Sequence, residues 1–183
     1  MRFKNYSRLF WCFLLLCGAA QAQSTAAPAL TECLDVKVAT TSKTPLDLWR
    51  SIPTCAKEDK HEQAIFMFGL AGALGVFDSM RVKDVSARQA AKVLPMGGIS
   101  AMGQEKSQQF QKQIQERFGE PAKRLDLCKT YKSMPPPTYF PDYMINHGLV
   151  NLSGKPADAF VAGFNAAETW PQAIDIYMQC PKG

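Results

Sequence analysis

The chain has 183 residues, a formal net charge of +5 and 46% apolar residues, a composition typical of one globular domain rather than of a disordered segment. Without residues 1–22, Lys+Arg falls from 21 to 18 against 16 Asp+Glu, which leaves a net charge of about +2. Basic residues are scattered among acidic ones, so we expect no nucleic-acid partner.

Residues 1–22 have the three parts of a signal peptide. Three basic residues precede a short apolar core at residues 9–17, and Ala20-Gln21-Ala22 offers a cleavage site before Gln23. The apolar core is too short for a membrane anchor, since spanning takes about 20 apolar residues. We therefore expect signal cleavage, a location in the periplasm or outside the cell, and no stable membrane insertion afterwards.

Four cysteines remain after that cleavage: Cys33, Cys55, Cys128 and Cys180. An even number in an exported chain predicts two disulfides, and the absence of any C-x-x-C pair argues against a metal site. Three pairings are possible. We favour Cys33–Cys55 with Cys128–Cys180, because each bridge then ties a terminal segment to a nearby helix.

The pattern predicts an all-α fold, a single compact multi-helix domain of six to eight helices held by two disulfides. We divide the chain into a signal peptide (1–22), an N-terminal arm (23–43) and a helical domain (44–183). Within the arm, residues 34–38 alternate briefly and suggest a short extended piece.

The first helix is predicted to begin at Thr44-Pro45-Leu46-Asp47. Thr44 is a suitable N-cap, proline suits the first helical position, and Asp47 lies in the first turn, where the helix dipole favours negative charge. Pro53 is expected to break or kink this helix, and a second short helix is expected to carry Cys55 to Glu58.

The strongest structural signal is the run Ala64 to Phe77, which is apolar or glycine throughout. A helix that is apolar on all sides is buried, so we expect a central core helix. Gly69, Gly72 and Gly75 recur every three residues and predict a smooth strip that another helix can approach closely.

The segment Leu46–Gly75 resembles one tetratricopeptide repeat. Ala64 matches the small residue at which the two helices of that family cross, and Phe68 and Ala71 match the next buried positions. Pro53 departs from the family pattern, and no second copy recurs along the chain, whereas such arrays need several repeats. The resemblance therefore implies a single helical hairpin rather than a peptide-binding array.

The remaining helices are predicted from caps, prolines and apolar stripes. The stretch from Ala101 to Phe118 is polar with a narrow apolar stripe and predicts an outer helix. Pro135-Pro136-Pro137 predicts extended polyproline backbone. The other predicted helices run from Ser86 to the Pro95-Met96-Gly97-Gly98 stop, onward from Pro121, from Pro141 to Gly148, from Pro156 to Ala167, and from Pro171 to Gln179.

No catalytic motif is present, and we expect no catalytic residue, cofactor or metal. The one cluster with acid–base groups is Tyr139, Asp142, Tyr143 and His147, in which Tyr143 and His147 are predicted to share a helix face. Its alternatives are an enzyme site and an aromatic patch that follows a turn.

The segment Met134–His147 combines rigid proline backbone with aromatic side chains, a combination that favours recognition because such anchors lose little entropy on binding. The alternative is a stiff connection whose rings pack on the domain. The candidate partner-binding residues are Tyr139, Phe140, Tyr143 and His147.

The leading functional hypothesis is a non-catalytic periplasmic protein-binding protein. In size, address and lack of recognisable chemistry the chain resembles periplasmic immunity proteins, which implies a secreted, envelope-targeting toxin as the partner. The alternatives are a structural accessory of an envelope or secretion complex, and a small envelope enzyme that uses Tyr139, Asp142 and His147.

Overall fold

The computed structural model describes residues 32–149 and 159–182, and the predicted signal peptide lies outside them. The described residues form an all-α domain with seven α-helices, one 3₁₀ turn at Ser86–Gln89, and no named strand. The α-helices are α1 (Pro45–Lys57), α2 (His61–Arg81), α3 (Ala90–Ala101), α4 (Gln104–Gly119), α5 (Pro121–Lys132), α6 (Asp142–Ile145) and α7 (Ala166–Met178).

Helix α1 begins as the sequence predicts. The Thr44 hydroxyl accepts a hydrogen bond from the Asp47 amide at 3.2 Å, and the Asp47 carboxylate accepts one from the Thr44 amide at 3.0 Å. This reciprocal capping box satisfies amides that a helix end otherwise leaves unpaired. A short turn, in which Asp59 adopts a positive φ of 56°, leads into α2 and makes α1 and α2 a helical hairpin.

Helix α2 is the centre of the domain and packs against α1, α3, α4, α5 and α7. It extends beyond the predicted apolar run at both ends, and Met67, Leu70, Leu74 and Phe77 have no exposed surface. Among the described residues it is the one helix long and apolar enough to cross a membrane, but 61% of its apolar window is buried inside the domain. Those properties are also the properties of a core helix.

The glycines of α2 allow close contact with three different helices rather than with one. A Cβ at Gly69 would meet the Tyr131 ring, and one at Gly72 would overlap the Tyr177 ring. Gly75 faces Ala91 at an ordinary contact distance. A step of three residues turns by about 300° around a helix, so the strip winds around α2 and meets α5, α7 and α3 in succession.

Three prolines predicted as helix boundaries lie inside helices. Pro53 lies within α1, Pro95 within α3 and Pro171 within α7, so the predicted break at Pro53, helix end at Pro95 and helix start at Pro171 are wrong. Packing offsets the lost backbone hydrogen bond, because Pro53 is buried in the core. Gly98, predicted as part of a helix stop, continues α3 instead and lies against Trp49 with no room for a Cβ.

The N-terminal arm, where the structure describes it, is tied to α1. Ser51 Oγ accepts a hydrogen bond from the Leu34 amide at 2.8 Å and donates one to the Glu32 carbonyl at 3.2 Å. The short extended piece predicted at residues 34–38 is instead a turn. Its cause is the Asp35 carboxylate, which accepts a hydrogen bond from the Lys37 amide at 2.8 Å.

The two disulfides are Cys33–Cys55 and Cys128–Cys180, the pairing favoured from the sequence. The first fixes the arm on α1, and the second fixes the chain after α7 on α5. Disulfides persist in oxidising compartments, so this scaffold is consistent with a location outside the cytoplasm.

Toward the C-terminal end, two predicted helices differ from those observed. Residues 159–165 form an isolated bridge and a turn, so the helix predicted from Pro156 is wrong there, although residues 150–158 lie outside the described part. Asn165 begins α7 instead, because its side chain accepts a hydrogen bond from the Ala167 amide at 3.1 Å. Pro135–Pro137 have no helical or strand structure, and α4 is the outer helix that the sequence predicts, with Phe110 on its buried side.

Candidate functional site

A buried ion pair lies near the end of α2. Asp78 has no exposed surface and Arg81 is 7% exposed. Both Nε and Nη2 of Arg81 lie 2.8 Å from Oδ1 of Asp78. The spacing of three residues places the two side chains on neighbouring positions of the helix surface. A charge in the interior needs such a partner, because an unpaired one is costly to desolvate.

Two tyrosines from the proline-aromatic segment complete the coordination of the Asp78 carboxylate. The Tyr139 hydroxyl donates to Oδ2 at 2.9 Å, and the Tyr143 hydroxyl donates to the same oxygen at 2.7 Å. Nη2 of Arg81 donates to the Tyr139 carbonyl at 2.9 Å. The segment is therefore held to α2 through a side chain at each of two positions and through its backbone.

Aromatic rings surround the Arg81 guanidinium. Its Cζ lies 5.1 Å from the centroid of the Phe77 ring, 4.9 Å from that of Tyr139 and 5.5 Å from that of Phe160. Phe160 reaches this place through an antiparallel bridge to Val82. Cation–π attraction strengthens when the cation is desolvated, as it is here. We call Asp78, Arg81, Tyr139 and Tyr143 the buried polar cluster.

Burial dominates the protonation behaviour of this cluster. It raises the pKa of the Asp78 carboxyl, while the Arg81 guanidinium and the two tyrosine hydroxyls oppose that rise. Burial and the neighbouring Asp78 carboxylate raise the pKa of Tyr139 and of Tyr143 far above the usual value of 10. Both phenols therefore stay protonated at neutral pH and act as hydrogen-bond donors.

The outer side of the same segment presents an aromatic pair. Phe140 is 46% exposed and contacts Phe160 edge to face, with ring centroids 5.4 Å apart. We call Phe140 and Phe160 the aromatic pair. Phe140 directly follows Tyr139 of the buried polar cluster, so its exposed ring lies on backbone that the domain interior fixes.

The structure divides the predicted site residues between inside and outside. Tyr139 and Tyr143 direct their hydroxyls into the domain, whereas Phe140 and His147 are exposed. Helix α6 ends at Ile145, so His147 lies beyond it and the predicted shared helix face with Tyr143 is wrong. Just beyond His147, Gly148 packs against Asp84 and Ala87 with no room for a Cβ.

In the described part of the chain, no hydrogen bond joins the side chains of Tyr139, Asp142 and His147, the three residues of the enzyme hypothesis. The Tyr139 hydroxyl is bonded to Asp78, while Asp142 and His147 are exposed. Across residues 32–149 and 159–182, no three His, Cys, Asp or Glu side chains converge as a metal site.

Sequence reasoning missed Asp78 and Arg81, the centre of this arrangement. In the sequence Asp78 directly follows the apolar run, at the end of which a charge is usually solvated. The available signal was the pair of opposite charges three residues apart at the end of a buried helix. Its tyrosine partners lie about 60 residues away in the chain, so spacing alone did not connect them.

No family model matches the chain, and no curated protein or solved structure shows significant similarity to it.

Proposed function

We propose that the protein is a non-catalytic periplasmic protein-binding protein and that the aromatic pair is its recognition surface. The observation that supports this most is the half-exposed Phe140 ring on a backbone segment fixed from below by Asp78 and Arg81. Rigid aromatic anchors lose little conformational entropy on binding, and large rings dominate the binding energy of many interfaces.

The periplasm is supported by two independent features. Residues 1–22 carry the pattern of a cleavable signal peptide. Two disulfides hold the domain, and such bonds form in the oxidising bacterial periplasm.

The partner that we propose is a secreted, envelope-targeting toxin, which makes the protein an immunity protein. What supports this is the resemblance in size and address, together with an exposed aromatic ring on backbone that the domain interior fixes. An immunity protein needs one preformed surface that blocks its toxin, and fixed backbone with an exposed ring provides such a surface.

The test is the sensitivity of a deletion strain to rival toxin-producing cells, with variants supplied in its place. Phe140→Ala should abolish protection, because loss of an anchor ring costs about 2 kcal/mol or more, about thirtyfold in affinity. Phe140 is changed alone, since Tyr139 belongs to the buried polar cluster and its loss would confuse folding with binding.

Two controls accompany that variant. Ile176→Ala removes another exposed apolar side chain, 58% exposed on α7, and should keep full protection. His147→Ala should also keep it, because an exposed histidine beside a binding surface supplies one contact among many. Circular dichroism confirms that each variant is folded.

Three outcomes would contradict the proposal. Loss of function by folded His147→Ala alone would favour the small envelope enzyme. A deletion strain with normal toxin sensitivity and an envelope assembly defect would favour the structural accessory. Full protection by Phe140→Ala would remove the aromatic pair as the recognition surface.

A further inference from the structure

A groove of about 720 Å³ runs along α2 on the side away from the buried polar cluster. Gly72, Val76 and Met80 of α2 supply apolar surface to it. Val85, just before the 3₁₀ turn, and Pro95 of α3 also line it. Apolar residues of α2 and of the segment from Val85 to α3 therefore line both sides of the groove.

The groove and the aromatic pair occupy opposite sides of α2. At about 100° per residue, Val76 and Ser79 lie roughly half a turn around the helix from Arg81. Phe160 packs on Arg81, and Phe140 packs on Phe160, so both rings lie on the Arg81 side of α2. A ligand in the groove would therefore not touch the aromatic pair.

The dimensions of the groove fit a helix. From Gly72 to Met80 it follows nine residues of α2, a rise of about 12 Å, which equals about two turns of a partner helix. An apolar ridge of that length comes from positions i, i+3, i+4 and i+7 of an amphipathic helix. Val85 is 67% exposed at the groove, so apolar surface extends to the rim.

The charged residues that line the groove are basic. Arg88 and Lys92 line it, and the lining that the structure describes contains no Asp or Glu. They are four residues apart, about one helical turn. Nη2 of Arg88 donates to the Val82 carbonyl at 3.2 Å, which orients the guanidinium, while its Nε is buried without a hydrogen-bond partner in the described residues.

We propose that this groove binds an acidic amphipathic helix of a partner protein. The apolar ridge of that helix lies on Val76 and Met80. Two carboxylates on one flank, one turn apart, pair with Arg88 and Lys92. The charge of the lining selects acidic partners, and the length of the apolar floor selects a helix of two or more turns.

This site is separate from the aromatic pair and goes beyond the proposed function. It predicts a second contact between the protein and an acidic helical partner. Because the two sites lie on opposite sides of α2, Phe140→Ala should leave binding in the groove unchanged. A failure at one site is thereby distinguished from a failure at the other.

The probe is a synthetic amphipathic peptide of about 18 residues, long enough to form a helix when bound. It carries a leucine ridge and two Glu one turn apart on one flank, and its labelled form is titrated with the protein and followed by fluorescence anisotropy. Matched peptides carry Gln or Lys at the two Glu positions. We expect the Glu peptide to bind tightest and the Lys peptide weakest, with an advantage that shrinks at high salt.

Charge variants test the role of the two cations. Lys92→Gln should lower the affinity for the Glu peptide by about threefold, since one exposed ion pair is removed, and should leave the affinity for the Gln peptide unchanged. Lys92→Glu should abolish the preference for the Glu peptide over the Lys peptide, because the positive charge of Arg88 is then offset by a neighbouring carboxylate. Lys92 is exposed, so these changes test recognition without disturbing the fold.

A groove-filling variant tests the site itself. Ser79→Trp places a large ring in the groove and should abolish binding of the Glu peptide. Gln115→Trp, on an exposed position of the outer helix α4, should leave that binding intact. Urea unfolding of both variants establishes that they are folded.

The proposal is overturned by any of three results. The Glu peptide does not bind, or it binds no better than the Lys peptide. Folded Ser79→Trp binds it as the parent does. Dodecanoate displaces the peptide, and its own affinity falls in the Ser79→Trp and Lys92→Gln variants. That result would make the groove a binding site for anionic amphiphiles.

Discussion

The ring of Tyr177 lies against the backbone of Gly72, in the space that the Cβ of any other residue would occupy. This contact joins the last helix of the domain to its central helix. It also places the Tyr177 ring at the groove proposed above.

Gly72→Ala should therefore destabilise the protein by about 1–3 kcal/mol, because the added methyl group forces the Tyr177 ring to move. The measurement is the free energy of unfolding from urea titration. Gly97→Ala is the matched control, since Gly97 also lies inside a helix but has nothing within 4 Å of a Cβ. It should be neutral or stabilise by up to about 1 kcal/mol.

A second-site change tests the cause. Tyr177→Leu combined with Gly72→Ala should lose less stability than the sum of the two single changes, because the clash is shared. An unfolding midpoint for Gly72→Ala equal to that of the parent would show that Tyr177 does not press on this glycine.

Tyr143→Phe should lower the free energy of unfolding by about 1–2 kcal/mol, because it removes one donor from the buried Asp78 carboxylate. Asp78→Ala should cost more, about 3–5 kcal/mol, because it leaves the Arg81 charge buried without its partner. Asp142→Asn, an exposed change next to Tyr143, should stay within about 0.5 kcal/mol. Equal stability of all three variants would show that the buried polar cluster does not hold the segment.

A protein produced without residues 1–22 should show almost no phenolate below its alkaline unfolding transition. All four of its tyrosines have a pKa raised by burial, to about 12 for Tyr177 and further for Tyr131, Tyr139 and Tyr143. A pKa that is higher in the folded state leaves stability intact below about pH 10. That stability is lost as the pH rises further, because the unfolded chain releases the protons first.

The measurement is the ultraviolet absorbance of phenolate against pH, compared with circular dichroism over the same range. The two transitions should coincide. A gradual titration near pH 10 in a protein that remains helical would show that these hydroxyls are accessible to solvent.

The mature protein should contain no free thiol, as measured by thiol labelling of unfolded, unreduced material. Removing either disulfide should cost about 2–5 kcal/mol. Loss of the Cys128–Cys180 bridge should cost about 0.8 kcal/mol more than loss of Cys33–Cys55. The longer bridge joins residues 52 positions apart rather than 22, so it restricts the unfolded chain more. Two labelled cysteines per molecule would contradict the scaffold.

The fold class and the central helix followed from the sequence because each depends on local chemistry, whereas the sequence only favoured the observed disulfide pairing among three possible ones. A run without polar residues must be buried wherever it lies, and Thr44 and Asp47 cap a helix without help from distant residues. The same local reasoning predicted Phe140 as one of four candidate residues, and the packing decided that its ring is the exposed one.

The tertiary structure decided whether each proline ended its helix. Pro53, Pro95 and Pro171 each remove one helical hydrogen bond, which costs about 3 kcal/mol in an isolated helix. Within the domain each helix continues, because burying its face against α2 or a neighbour outweighs that loss. The sequence contains the cost of each proline but not the packing that offsets it.

The tertiary structure also decided what Tyr139 and Tyr143 do. Their spacing suggests a surface patch as readily as a buried contact, and only the arrival of Asp78 from α2 turns their hydroxyls inward. A buried carboxylate must find donors wherever the chain can supply them, and distance along the sequence does not limit that choice. The sequence alone determined that this segment is proline-rich and aromatic, and the packing around α2 determined which of its rings are buried and which is exposed.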